Sequence, residues 1–166
     1  MLTAEMDGID GMDGMDGMDD TEALNHLHTG ADYLRLAERT ADPAVLGELA
    51  RRAEYPFVWQ AIARNAAAPT EALAALVGRR NSDHNDNRLT HLLAAHPAVT
   101  GAALDGLVES VAALLAEGER PYAAVLRLAA RPELPAERIR ALGRLPGASA
   151  RLRRGITRAL AARTAA

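Results

Sequence analysis

Short apolar runs, each closed by an alanine, recur along this chain at Ala37, Ala63, Ala94, Ala129 and Ala161. After each of the first four, a Pro or Thr follows and then a pair of Leu or Ile residues. The second copy runs through Ile62, Ala63, Asn65 and Pro69 to Leu73 and Leu76. The third runs through Leu93, Ala94, His96 and Thr100 to Leu104 and Leu107, and the fourth through Leu128, Ala129, Arg131 and Pro135 to Ile139 and Leu142. A helical pair of this kind cannot cover its apolar face alone. Units recurring at roughly 25 to 35 residues therefore stack side by side, each burying the face of the next. The expected fold is all-α, a right-handed solenoid of stacked helical repeats. Such a fold presents surfaces more than it builds reaction centres.

Composition agrees with close helix packing. Apolar residues make up 49% of the 166 and aromatics only 3%, so Ala and Leu supply most of the core. β-branched residues are scarce, which disfavours sheets. Cysteine is absent, which excludes a disulfide framework, a thiol nucleophile and cysteine-held zinc or iron–sulfur centres. The longest uninterrupted apolar run, Val111 to Ala116, is far short of the roughly 20 residues that span a bilayer. The N-terminus is acidic rather than basic, unlike a signal peptide, so a cytoplasmic location is expected. Every basic side chain is Arg, with no Lys, a pattern that fits GC-rich codon usage.

The net charge of −3 conceals a polarised chain. Residues 1–30 carry eight acids and no Arg, whereas residues 120–166 carry eleven Arg against Glu133 and Glu137. Within residues 6–20, Asp, Gly and Met alternate in triplets, a composition that cannot offset its ordering entropy. Residues 1–20 are therefore expected to be a disordered acidic tail and residues 21–166 the repeat domain. All five Met lie within the first 18 residues, which leaves both Met1 and Met18 open as the start. Thr21 is expected to cap a short helix that ends at Gly30. Pro43, Pro56, Pro121 and Pro135, together with Pro69 or Thr70, mark helix starts. Thr100 caps the longest helix, over residues 101–117. The polar run 81–87 is expected to be a loop. The last helix, over residues 151–162, places Leu152, Ile156, Leu160 and Ala161 inward.

The second copy carries a family resemblance. Pro56, Val58, Ala61, Ile62, Ala63, Asn65 and Pro69, followed by Leu73 and Leu76, resemble the leucine-rich repeat variant, a HEAT-like bacterial α-repeat. The resemblance covers residues 31–162. It implies an α-helix paired with a second, often 3₁₀, helix in each unit. This chain departs from the pattern in placing Ala66 where the family has Pro and Trp59 where it has Arg, and in its longer repeats. Some relatives hold an iron–sulfur cluster on cysteines, which this chain cannot do.

Function is expected to lie in binding. Trp59, at a position the family gives to Arg, is expected either at the rim of the stack or, with Tyr55 and Phe57, filling a gap between repeats. With Tyr55 and Arg64 it forms one candidate anchor for a partner protein. Arg151, Arg154 and Arg158, spaced i, i+3 and i+7, share a helix face. They are the second candidate, for an acidic partner or, as the alternative, for nucleic acid. The five His are scattered, and the run from Asp83 lacks the Gly and the terminal Glu of a calcium loop. No acid, base and nucleophile occur in a catalytic spacing. The expectation is a non-catalytic scaffold or adaptor with no cofactor, no metal and no membrane partner. In the slot occupied by Arg39, Asn65, His96 and Arg131, every copy is polar, and these side chains are expected to bond backbone groups at a helix end.

Overall fold

The structure is a computed structural model that describes residues 17–164. Residues 1–16, most of the expected acidic tail, lie outside the described residues. Among the described residues there are ten α-helices, one 3₁₀ turn and no strand. They are α1 (Asp20–Ala23), a 3₁₀ turn (Leu24–His26), α2 (Gly30–Arg39), α3 (Pro43–Arg52), α4 (Pro56–Arg64), α5 (Thr70–Leu76), α6 (Asp83–Ala95), α7 (Gly101–Ala116), α8 (Tyr122–Ala129), α9 (Ala136–Leu142) and α10 (Ala150–Thr164).

Packing skips alternate elements. α2 packs on α4, α4 on α6, α6 on α8 and α8 on α10, while α3 packs on α5 and α5 on α7. The recurring alanines explain the spacing: Ala37, Ala63, Ala94 and Ala129 are all buried, and so small a side chain lets neighbouring helices approach. Ala161 is exposed, against expectation. Its register is right, but no helix among the described residues covers it, so only Leu152, Ile156 and Leu160 are buried there. α3, α5, α7 and α9, where the resemblance implies a second, often 3₁₀, helix, are α-helical.

The prolines and caps act mostly as the sequence suggests. Pro43 and Pro56 open α3 and α4, where the missing N–H has no partner to lose. Gly118, at φ +87°, ends α7: its own N–H bonds Leu115 O at 3.1 Å, and the next N–H, of Glu119, reaches Leu114 O at 2.9 Å. Three boundaries differ. Asp19, not Thr21, caps α1. Gly30 opens α2 instead of closing the helix before it, because Thr29 and Asp32 form a capping box there. Residues 83–87 are the first turns of α6, not a loop. Ser82 accepts from the Asn85 N–H, and Asp83 and Asp86 sit at the positive end of the helix dipole.

The polar slot two residues past each alanine links successive units. Asn65 Nδ2 donates to Ala37 O at 2.9 Å and Thr40 O at 2.8 Å. His96 Nδ1 accepts from the Ala98 N–H at 3.1 Å, which leaves Nε2 to donate to Asn65 O, also at 3.1 Å. Arg131 reaches His96 O at 3.2 Å and Val99 O at 2.7 Å. Arg163 reaches Pro132 O at 3.0 Å and Leu134 O at 2.7 Å. Arg39, which has no earlier unit behind it, meets Asp20 at 3.3 Å.

Candidate partner-binding face

α8 and α10 lie side by side, and the segment joining α9 to α10 closes one end of the space between them. Gly147 fixes that closure. Its N–H donates to Leu115 O at 2.8 Å, and a Cβ there would stand 2.6 Å from both Leu115 O and Glu119 O. The Tyr122 hydroxyl donates to Gly147 O at 2.7 Å and accepts from the Ser149 N–H at 3.3 Å. Ser149 Oγ in turn accepts from the Leu152 N–H, capping α10 at 3.2 Å. The result is a groove of about 790 Å³ whose floor includes Tyr122, Ala123, Leu126 and Leu152.

Leu126 is 38% exposed, one of three large apolar side chains so exposed among the described residues. It lies across α10 at Gly155, where a Cβ would meet Leu126 Cδ2 at 2.8 Å. Gly inside a helix costs about 1 kcal/mol relative to Ala, and the close approach of Leu126 is the packing reason for it here.

Arg120 and Arg151 line the groove, and Arg127, Arg154 and Arg158 are exposed on the same two helices. None of the five has a carboxylate or hydrogen-bond partner among the described residues. Of the other basic side chains of residues 120–166, all but the exposed Arg144 are engaged. Arg153 holds Ala148 O, Arg138 pairs with Asp105, Arg140 with Glu137, and Arg131 and Arg163 hold the carbonyls described above. The nearest carboxylate in sequence, Glu119, turns away to Arg80 at 2.7 Å, and burial pushes its carboxyl above the usual range.

The two candidate anchors are therefore far apart. Arg151, Arg154 and Arg158 come together on α10, as their spacing suggests. Tyr55 and Arg64 sit at opposite ends of α4, and α6 and α8 intervene between α4 and α10. Tyr55 is 40% exposed and stacks on Phe57 with ring centroids 5.4 Å apart. Arg64 is exposed beside a small hollow bounded by Ala37 and Ala61, with no side-chain partner among the described residues.

Trp59 is not at the rim. It is buried, its Nε1 donates to Ala53 O at 2.7 Å, and the Arg79 guanidinium covers its ring at 5.3 Å. Leu126, Arg120 and Arg127 belong to the face but were not singled out by the sequence. The available signal was Gly155, an unexplained glycine within a strongly helical segment. Among the described residues no group of three His, Asp or Glu is placed to hold a metal, and no helix is long and apolar enough to cross a membrane. Comparison with protein-family models, curated proteins and solved structures finds no match to this chain.

Proposed function

We propose that this protein is a non-catalytic, cytoplasmic scaffold or adaptor that binds an acidic segment of a partner protein across α8 and α10. We further propose that its alternating helices belong to a right-handed α-solenoid of the leucine-rich repeat variant type. The second reading rests on the repeat pattern around Pro56–Arg64 and on the packing of every helix of the first layer against its next-but-one neighbour.

The observation that carries the first reading is the apolar groove at Leu126, lined by Arg120 and Arg151 with Arg127, Arg154 and Arg158 exposed on the same helices, none of which has a side-chain partner among the described residues. An unpaired guanidinium offers a planar fork of donors that fits a carboxylate in two-point contact. An exposed Leu on a fixed floor supplies apolar anchorage beside it. The hydroxyl groups of the groove are already committed: Tyr122 and Ser149 hold the backbone in place. That leaves neither as a free nucleophile or acid, and it supports binding over catalysis.

The same arginines fit a phosphate backbone, and nucleic acid is the second reading. It is the weaker one, because the only aromatic ring in the groove, Tyr122, is tied to Gly147 and leaves no free stacking platform.

Fluorescence anisotropy on the full chain separates the two. A labelled peptide alternating glutamate and leucine should bind saturably and weaken as NaCl rises from about 50 to about 500 mM. The variant R151E/R154E/R158E should lose about tenfold in affinity or more, with its helical content intact. Binding of a DNA duplex in place of the peptide would assign the face to nucleic acid.

A further inference from the structure

The unpaired arginines of this face have a match in charge within the chain itself. Residues 1–16 hold Glu5, Asp7, Asp10, Asp13 and Asp16 with no basic side chain, and they interleave these acids with Met1, Leu2, Met6, Ile9, Met12 and Met15. That is the composition the groove would select: carboxylates for the arginines and flexible apolar side chains for the Leu126 floor.

Reach is sufficient. Asp20, three residues after Gly17, meets Arg39 at the end of α2, and three successive packings, α2 on α4, α4 on α6 and α6 on α8, lead from there to the groove. At 8–10 Å each they amount to roughly 30 Å. An extended chain covers about 3.3–3.6 Å per residue, so the ten residues leading back from Gly17 to Asp7 span roughly 35 Å. Met1 to Asp7 can therefore lie on α8 and α10. Arg64 on α4 and Arg88 on α6, which stand between, are exposed and also lack a carboxylate among the described residues.

We propose that the N-terminal segment Met1–Asp7 docks intramolecularly in the groove between α8 and α10, with its two carboxylates, Glu5 and Asp7, among Arg120, Arg151 and Arg154 and its apolar side chains against Leu126. The segment then acts as a built-in competitor that a partner must displace. This inference rests on the groove being a binding face, as proposed above.

Methionine supplies a direct probe, because all five Met of the chain lie at positions 1–18. With ¹³C-methyl-labelled methionine in the full chain at low salt, the Met1 and Met6 signals should stand away from free-peptide positions and show contacts to the Leu126 methyls. They should return to free-peptide positions in R151E/R154E/R158E and in about 0.5 M NaCl, where screening is within a few ångströms. The shifts should not change on dilution. Met1 and Met6 signals at free-peptide positions in the wild-type chain would overturn the proposal. Shifts that vanish on dilution would overturn the intramolecular form in favour of a second copy.

A second measurement avoids any change to the folded part. The full-chain variant E5Q/D7N/D10N should bind the labelled glutamate–leucine peptide about threefold tighter or more, because the tethered competitor is weakened. Equal affinity in variant and wild type would overturn the docked segment while leaving the groove as a binding face. No binding by either would overturn the face itself.

Discussion

At the residue scale, Trp59 shows how a ring becomes structural. Its helix, α4, is flanked by α2 and α6 in one layer and by α3 and α5 in the other. Val58, Trp59, Gln60, Ala61, Ile62 and Ala63 are all buried in consequence. An amphipathic pattern assumes one apolar stripe and leaves the rest to solvent. A helix enclosed on several sides breaks that assumption, so the rim position was not a sound inference from the sequence. Trp59→Phe keeps most of the ring but removes the Nε1 donor to Ala53 O. It should cost about 1–2 kcal/mol in urea unfolding followed by circular dichroism. A loss near zero would mean that the indole N–H is not buried. Glu119 makes a prediction of the opposite sign. Desolvation raises its carboxyl above the ordinary 4.5 despite Arg80, and Asp83, Asp86 and Glu117 add to the effect. The folded state therefore holds this proton more tightly than the unfolded state, and the contribution of Glu119 to stability falls as pH rises through its raised value. Glu119→Gln should raise the thermal midpoint at pH 7 relative to wild type, with the advantage shrinking towards pH 4. A lower midpoint at pH 7 would show that the bond to Arg80 outweighs the burial.

At the scale of elements, the joints between units are made by the polar slot two residues past each recurring alanine. A helix leaves its last carbonyls without partners, and burial makes each such group costly. Asn65, His96, Arg131 and Arg163 each supply donors to carbonyls of the preceding unit. This role was legible, because aligning the alanines placed a polar side chain at one register in every copy. The start of α6 was not legible. Its run of Asn and Asp reads as a loop in isolation, whereas Asp86 is fixed by Arg80 at 2.7 Å and by the Asn81 N–H, also at 2.7 Å. Contacts made across a turn of this kind do not register in a periodic reading. Asn65→Ala removes the donors to Ala37 O and Thr40 O and the acceptor of the Ala67 N–H at 2.9 Å. The loss should be about 1–3 kcal/mol, read as a lower urea midpoint. An unchanged midpoint would show that water takes over these carbonyls and that the joint is not structural.

At the scale of the whole molecule, the sequence shows where arginines are concentrated but not which of them are free. Arg151, Arg154 and Arg158 share a face by helical spacing alone. Arg120, Arg127 and Leu126 join them only because α8 packs on α10, and Arg153 leaves the set only because it turns to Ala148 O. The same packing order governs stability. An inner helix such as α6 is covered by α4, α7 and α8, whereas among the described residues α10 is covered by α8 and α9 alone. In such an arrangement, stability is close to a sum of nearest-neighbour contacts, and the ends open first. Leu93 in α6 is 1% exposed, and Leu93→Ala should cost about 3–5 kcal/mol, because surrounding helices hold the cavity open. Leu160 in α10 is 7% exposed at the uncovered end, where the chain can settle into the gap. Leu160→Ala should cost about 2 kcal/mol or less. Hydrogen exchange should then separate the two: Leu160→Ala accelerates exchange in α10 while α4 and α6 keep their protection, and Leu93→Ala accelerates exchange throughout. Uniform acceleration by Leu160→Ala would instead show that the chain opens as one unit, with no gradient from its centre to its end.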